Sequence, residues 1–279
     1  MKILISGASG MIAGHLIPVL ESKGHSLWKL VRGKSAAENE IVWSSKDGFS
    51  VEEAAKLEGF DAVIHLAGDN VASENWSAEK KKKIRASRID GTRFLIHALA
   101  KCDSKPKTLI SASAIGFYGN REDEVLTEDS VVGEGFFPEI CSGWEIEAMK
   151  AKDFGTRVVT PRIGVVLAPD GGALEKMLTP FKLGVGGVVG SGKQWMSWIA
   201  IEDLVGLIVF ALENESIEGP LNATAPNPVT NERFTKTLGR VLHRPTFIPV
   251  PEFAIKLLFG EMGETLLLQG NRVVPQKAL

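Results

Sequence analysis

Along the chain, short apolar runs rich in β-branched residues alternate with longer stretches whose apolar positions recur every three or four residues. The runs fall at Lys2–Ser6, 27–31, 41–43, 62–66, 108–113, 158–163 and 221–224. Most are nearly continuous rather than alternating, the pattern of parallel strands covered on both faces. Residues 11–23, 77–102 and 137–153 carry the helical period between them. Repeated strand–helix–strand units predict a doubly wound parallel sheet. From about Gly164 the texture changes, with glycines clustered at 171–172 and 184–192 around a short helix at 174–182. Thr230 reads as an N-cap and Pro251 as the first turn of a last helix. The predicted division is a sheet domain of residues 1–163 with 196–224, and a small substrate lobe of 164–195 with 225–279.

Composition narrows the function. The 279 residues carry 32 basic and 34 acidic side chains, a net charge of −2. That argues against a nucleic-acid partner held by bulk electrostatics. Two cysteines, Cys102 and Cys141, exclude a disulfide scaffold or a Cys-rich zinc site. The five histidines show no ligand spacing, so no metal is expected, and His65 reads as a hydrogen-bonded core residue. No apolar run approaches the roughly 18 residues of a membrane span. Strand-like sequence starts at Lys2 with no targeting stretch before it, so the expected location is the cytoplasm.

The first strand runs straight into Gly7-Ala-Ser-Gly10-Met-Ile-Ala13 and then a helix striped by Ile12, Leu16 and Leu20. A strand, a tight glycine turn and a helix N-terminus at this spacing form a pyrophosphate cradle, which makes the fold Rossmann-like. The candidate contacts there are Gly7, Ser9, Gly10, Met11 and Ile12. Pro18 is expected to kink that helix. Where an acidic residue would grip an adenine ribose, the second strand ends Arg32-Gly33-Lys34. Arg32 can chelate a 2′-phosphate bidentately and Lys34 adds charge, favouring NADP(H) over NAD(H); the other reading is a solvated basic loop. Arg88 falls on the apolar stripe Ile84, Gly91, Leu95, Leu99, Cys102. It can reach the cofactor or a buried carboxylate, or snorkel past the helix edge. The run Lys80–Lys83 reads as a solvated face.

With these residues the chain resembles the extended short-chain dehydrogenase/reductase superfamily of NAD(P)-dependent epimerase/dehydratase type. The carriers are the glycine turn, Asp61-Ala-Val-Ile-His-Leu-Ala-Gly68, Gly91-Thr92, Phe117-Tyr118-Gly119 and the stretch from Gly190 to Leu204. Within it the chain is similar to an atypical branch called epimerase family proteins, sometimes labelled cell-division-inhibitor-like. That likeness rests on Ile110 to Gly116, Cys141-Ser-Gly-Trp-Glu145, Gly164 to Gly172 and Asn222 to Asn231. The resemblance implies that Leu66, Ala67 and Gly68 lie along the cofactor, that Arg88 contacts the dinucleotide, and that the turn through Val166 approaches the nicotinamide side. It also implies a further short segment beyond Leu279.

The resemblance breaks at the chemistry. Redox members use a Tyr-x-x-x-Lys pair, but the single tyrosine, Tyr118, is followed four residues later by Glu122. Cys141 and Glu145 stand where that pair is expected, and Ala114 where a Ser/Thr is, with Ser111 and Ser113 nearby. No catalytic residue is therefore assigned. Two readings stay open: an NADP(H)-dependent oxidoreductase or epimerase-like enzyme acting on an unknown small molecule, and a catalytically silent NADP(H)-binding sensor or scaffold. The second works through a protein partner, and a homo-oligomer also fits; no membrane partner is expected. Gly187 to Lys193 satisfies G-x-x-x-x-G-K but lacks the Ser/Thr and the helix of a P-loop. Trp195 and Trp198, on opposite faces of a predicted strand, would line the substrate pocket or the lobe interface.

Overall fold

The computed structural model describes residues 1–35 and 37–279. Seven strands form the central sheet: β1 (Lys2–Ser6), β2 (Ser26–Val31), β3 (Glu40–Val42), β4 (Ala62–His65), β5 (Thr108–Ser111), β6 (Arg157–Ile163) and β7 (Gly219–Ala223). All pair in parallel in the order β7-β6-β5-β4-β1-β2-β3, with the two-residue strand Ser113–Ala114 added beside β6. Alternate side chains go to opposite layers. Ile3 and Ile5 pack with Leu16, Leu20, Leu204 and Ile208, whereas Leu4 packs with Leu95, Leu99 and Ala148. Both layers are apolar, which is why the strands read as unbroken apolar runs.

The strand order reverses between β1 and β4. Register puts Ser6 beside His65 on one side and beside Leu30 on the other. The glycine turn, Leu66 and the end of β2 therefore leave the sheet together, at the crevice where open α/β sheets take ligands.

Three expectations change on folding. The run at 108–113 is broken at Ala112, and its second half pairs with Arg162 and Ile163 rather than with β4. The stretch around Trp195 is two strands: Trp195–Met196 joins Val229–Thr230, and Trp198–Ala200 joins Val165–Ala168. Pro251 stands just before the helix Glu252–Gly263 rather than inside its first turn. Thr230 does cap the helix Asn231–Val241, its hydroxyl accepting from Arg233 N at 3.3 Å.

The helix Met11–Ser22 continues through Pro18 without a break. Pro18 and Gly14 are both exposed, so water can satisfy the Gly14 carbonyl that proline leaves without a donor. A Pro18→Ala change restores that donor, and we expect it to raise stability by about 1–3 kcal/mol, measured as a higher urea midpoint at unchanged m-value.

Candidate functional site

Gly7 turns the chain with φ +69°, and a Cβ there would sit 2.8 Å from the Leu66 carbonyl carbon and 2.9 Å from the Ala67 nitrogen. Only glycine allows this backbone-on-backbone approach. Gly10 N donates to Gly7 O at 2.9 Å, and Gly10 then opens the helix with no side-chain cap. Among the described residues the amides of Met11 and Ile12 have no protein acceptor, so they are left for an anion. Ser9 and Gly10 are exposed at the mouth of this turn. From the other side the Gly171-Gly172 turn packs on the Met11 thioether, and His15 Nε2 meets the Asp170 carboxylate at 3.1 Å. That turn follows the strand Val165–Ala168, which carries Val166, half-buried, against the same layer as Met11 and Ile12. The His15–Asp170 clamp had no sequence signal, since its members lie 155 residues apart.

Beneath the turn a buried relay joins three elements. Ser6 Oγ accepts from Leu66 N at 3.1 Å and Ala67 N at 3.2 Å, so its single proton goes to His65 Nδ1 at 2.6 Å. His65 Nε2 then carries the other hydrogen and donates to Thr92 Oγ1 at 3.0 Å. Burial pushes the His65 pKa down to about 4. It is the satisfied core residue its strand position suggested.

Leu66, Ala67 and Gly68 continue from β4 along the crevice. Arg88 sits on a single π-turn, Ala86–Asp90, within the long helical segment running from Ala78–Arg85 to Gly91–Ala100. Its Nη1 donates to Asp69 O at 3.0 Å, and its guanidinium carbon would lie 3.2 Å from a Cβ at Gly68. Among the described residues its Nε and Nη2 meet no protein acceptor, and burial lowers its pKa. Arg88 is therefore half-buried against the crevice rather than snorkelling into solvent. Lys80, read from sequence as solvated, is instead 2% exposed. Its ammonium pairs with Asp69 and donates to Ser73 Oγ at 2.8 Å, fixing the loop on which Arg88 rests. Arg32 and Lys34 are exposed just past β2, free of ion pairs among the described residues.

Deeper in the crevice, Cys141 is buried with its pKa pushed up to about 12 by burial, the Arg88 charge opposing only in part. Glu145 takes a bidentate fork from Arg162, with Nε and Nη2 each at 2.9 Å, and accepts from Ser113 Oγ at 2.6 Å. Arg162 Nη1 donates to Tyr118 OH at 2.9 Å, and that phenol donates to Asn222 Oδ1 at 2.6 Å. The Phe117 ring lies 3.5 Å from the guanidinium carbon. Ser111 Oγ is buried and has no hydrogen-bond partner among the described residues.

This architecture has relatives. The profile of the NAD dependent epimerase/dehydratase family matches residues 3–223, and that of a domain of unknown function, DUF1731, matches 250–279. The chain belongs to the NAD dependent epimerase/dehydratase family. It is 39% identical over 284 residues to Epimerase family protein YfhF of Bacillus subtilis, covering 100% of this chain and 92% of that protein. The chloroplastic SDR39U1 homolog of Arabidopsis thaliana is 42% identical over 287 residues, covering 100% of this chain and 81% of that one. Among solved structures, human epimerase family protein SDR39U1 (isoform2) with NADPH superposes at a TM-score of 0.89 with 33% identity, over 99% of this chain and 92% of that one.

As a member of the epimerase/dehydratase family, this chain has an unusual proton inventory. Cys141 is a neutral thiol in dry surroundings, and Glu145 is held by Arg162 and Ser113. Neither replaces the proton-shuttling phenol and its lysine. Tyr118 serves the structure, since burial raises its pKa and both of its hydrogen bonds are used. Removing the cation of the buried pair strands a carboxylate. Arg162→Met should therefore cost about 3–5 kcal/mol in chemical denaturation, more than the paired change with Glu145→Gln.

The relay gives a second expected outcome. Because the folded pKa of His65 lies below the ordinary value of 6.5, the unfolded chain takes up a proton that the folded chain refuses. That contribution is complete above about pH 6.5 and is lost as pH falls towards 4. The stability advantage of wild type over His65→Gln should shrink by about 3 kcal/mol between pH 7 and pH 4 in urea titrations.

Proposed function

We propose that the chain binds NADP(H) across the crevice above β1 and β4, and acts as an oxidoreductase of atypical mechanism on a small carbonyl compound. The observation that carries the reading is the preformed cradle. Gly7 brings two backbone segments into contact, the amides of Met11 and Ile12 lack acceptors, and Arg88 holds unspent donors beside Gly68. The relative solved with NADPH supports the same choice of nucleotide. In this reading Met11 and Ile12 hold the pyrophosphate, Arg32 and Lys34 neutralise the 2′-phosphate, and Arg88 positions the dinucleotide along Leu66–Gly68. Val166 and Cys141 form the dry wall on the nicotinamide side. Bound NADPH supplies the hydride. The alkoxide formed on the substrate takes its proton from water, because the positions of the usual pair hold a thiol and a paired carboxylate.

A second reading, a catalytically silent NADP(H)-binding sensor, is favoured by one observation: the engagement of Glu145 with Arg162 and Ser113. A fluorescence titration with NADPH and NADH tests the shared part. We expect NADPH to bind at least about tenfold tighter, or about 1.4 kcal/mol, and Arg32→Ala to erase the gap. If neither nucleotide binds, both readings fall. Slow NADPH oxidation by any member of a panel of aldehydes and ketones selects the enzyme, and none selects the sensor.

A further inference from the structure

The strand Val165–Ala168 is held by its pairing with Trp198–Ala200 and ends on the fully buried Ala168. The chain then turns tightly, with Ala168 bridged to Gly171 and Leu167 to Gly172, and enters the helix Gly172–Lys182. That helix carries an apolar stripe at Leu174, Met177, Leu178 and Phe181, yet Phe181 is its one buried residue. From Pro169 to Pro180 the only buried position is Gly171. The segment is anchored at both ends and weakly packed between them, the condition for opening locally while the sheet stays intact.

This segment touches both walls of the crevice. Gly171 and Gly172 rest on the Met11 side chain, and a Cβ at Gly171 would come within 2.9 Å of the thioether sulfur. Asp170 reaches His15, one turn beyond Met11 on the same helix face, with both carboxylate oxygens 3.1 Å from Nε2. On the other side Lys176 Nζ donates to Ala72 O at 2.7 Å, in the loop that follows Leu66–Gly68. A dinucleotide lying from the Met11 and Ile12 amides to Gly68 would pass beneath. The ties are weak ones: His15 is 32% and Asp170 62% exposed, so solvent screens the pair.

We propose that residues 169–180 form a strap over the nucleotide, which unfastens from His15 and Ala72 to let NADP(H) in and out. The inference rests on the nucleotide reading above and adds how exchange at that site is governed. Neither tie uses the nucleotide, so the strap fastens and unfastens whether the crevice is filled or empty. Entry and exit then share one gate. A weaker strap speeds both and leaves the affinity nearly unchanged. A side chain that merely touched the bound nucleotide would alter dissociation alone.

Stopped-flow fluorescence with NADPH, and its displacement by excess NADP+, reads the two rates on the whole chain. In Asp170→Ala with Lys176→Met both are expected to rise about fivefold, with Kd within about twofold of wild type. A second variant fastens the strap instead. The Cβ positions of residues 11 and 171 lie 3.6 Å apart, inside the span of about 3.5–4.5 Å that a disulfide needs. Met11→Cys with Gly171→Cys keeps the backbone amide at 11, and the native Cys102 and Cys141 are buried away from exchange. Once oxidised, this variant should take up and release NADPH about tenfold more slowly or slower still, and dithiothreitol should restore both rates. Unchanged exchange in the cross-linked protein, or faster dissociation alone in the untied one, overturns the strap while the nucleotide reading stands. If wild type binds no NADPH, the nucleotide reading itself fails and the strap falls with it.

Discussion

The arrangement depends on how closely the backbone leaving β1 approaches the backbone leaving β4. At Gly7 the separation leaves no room for even a methyl group. Ser6 and His65 hold it there with hydrogen bonds whose donors and acceptors are all used. Because Ser6 accepts from two amides, it cannot also accept from the histidine, and this fixes the imidazole in one tautomer. Thr92 extends the constraint to the helix Gly91–Ala100. Through the π-turn just before that helix, the constraint reaches Arg88. A polar relay inside an apolar sheet thus sets the position of a charge at the rim.

Two buried ionic groups lie on either side of that rim and do different work. Lys80 and Asp69 fasten the loop after β4, and the Asp69 carbonyl receives Arg88. Glu145, which the resemblance sets at one of the two positions of the usual proton-shuttling pair, is forked by Arg162. A forked pair with added hydroxyl contacts has almost no unused hydrogen-bonding capacity. The crevice therefore keeps the means to hold a dinucleotide while the usual means of moving a proton is gone.

The sheet and the glycine turn were legible in the sequence, because each follows from a local pattern, continuous apolar strands and glycine spacing; for Arg88 the apolar stripe left the crevice and the helix edge both open. Lys80 was not legible. Four consecutive lysines read as solvated, and the partner that buries the first of them comes from the loop after β4. The break at Ala112 was also hidden, since Ser113 leaves the line of β5 to bond Glu145, 32 residues on. The short pairings of Trp195–Met196, Trp198–Ala200 and Arg272–Val273 involve two or three residues each, too few for any period to show.

The network around Arg162 runs to the last turn of the chain. Asn222, which accepts the Tyr118 proton, donates to Val274 O at 2.9 Å, and Glu128 accepts from both Asn222 N and Lys277 N. Glu128 and Lys277 are 149 residues apart. Contacts across so long a span form late, because the intervening chain must be closed before they can stabilise anything. The sheet can therefore collapse while its charged interior stays incompletely satisfied until Val274 and Lys277 arrive. Closure of this long loop, rather than completion of β7, is the event that finishes the domain.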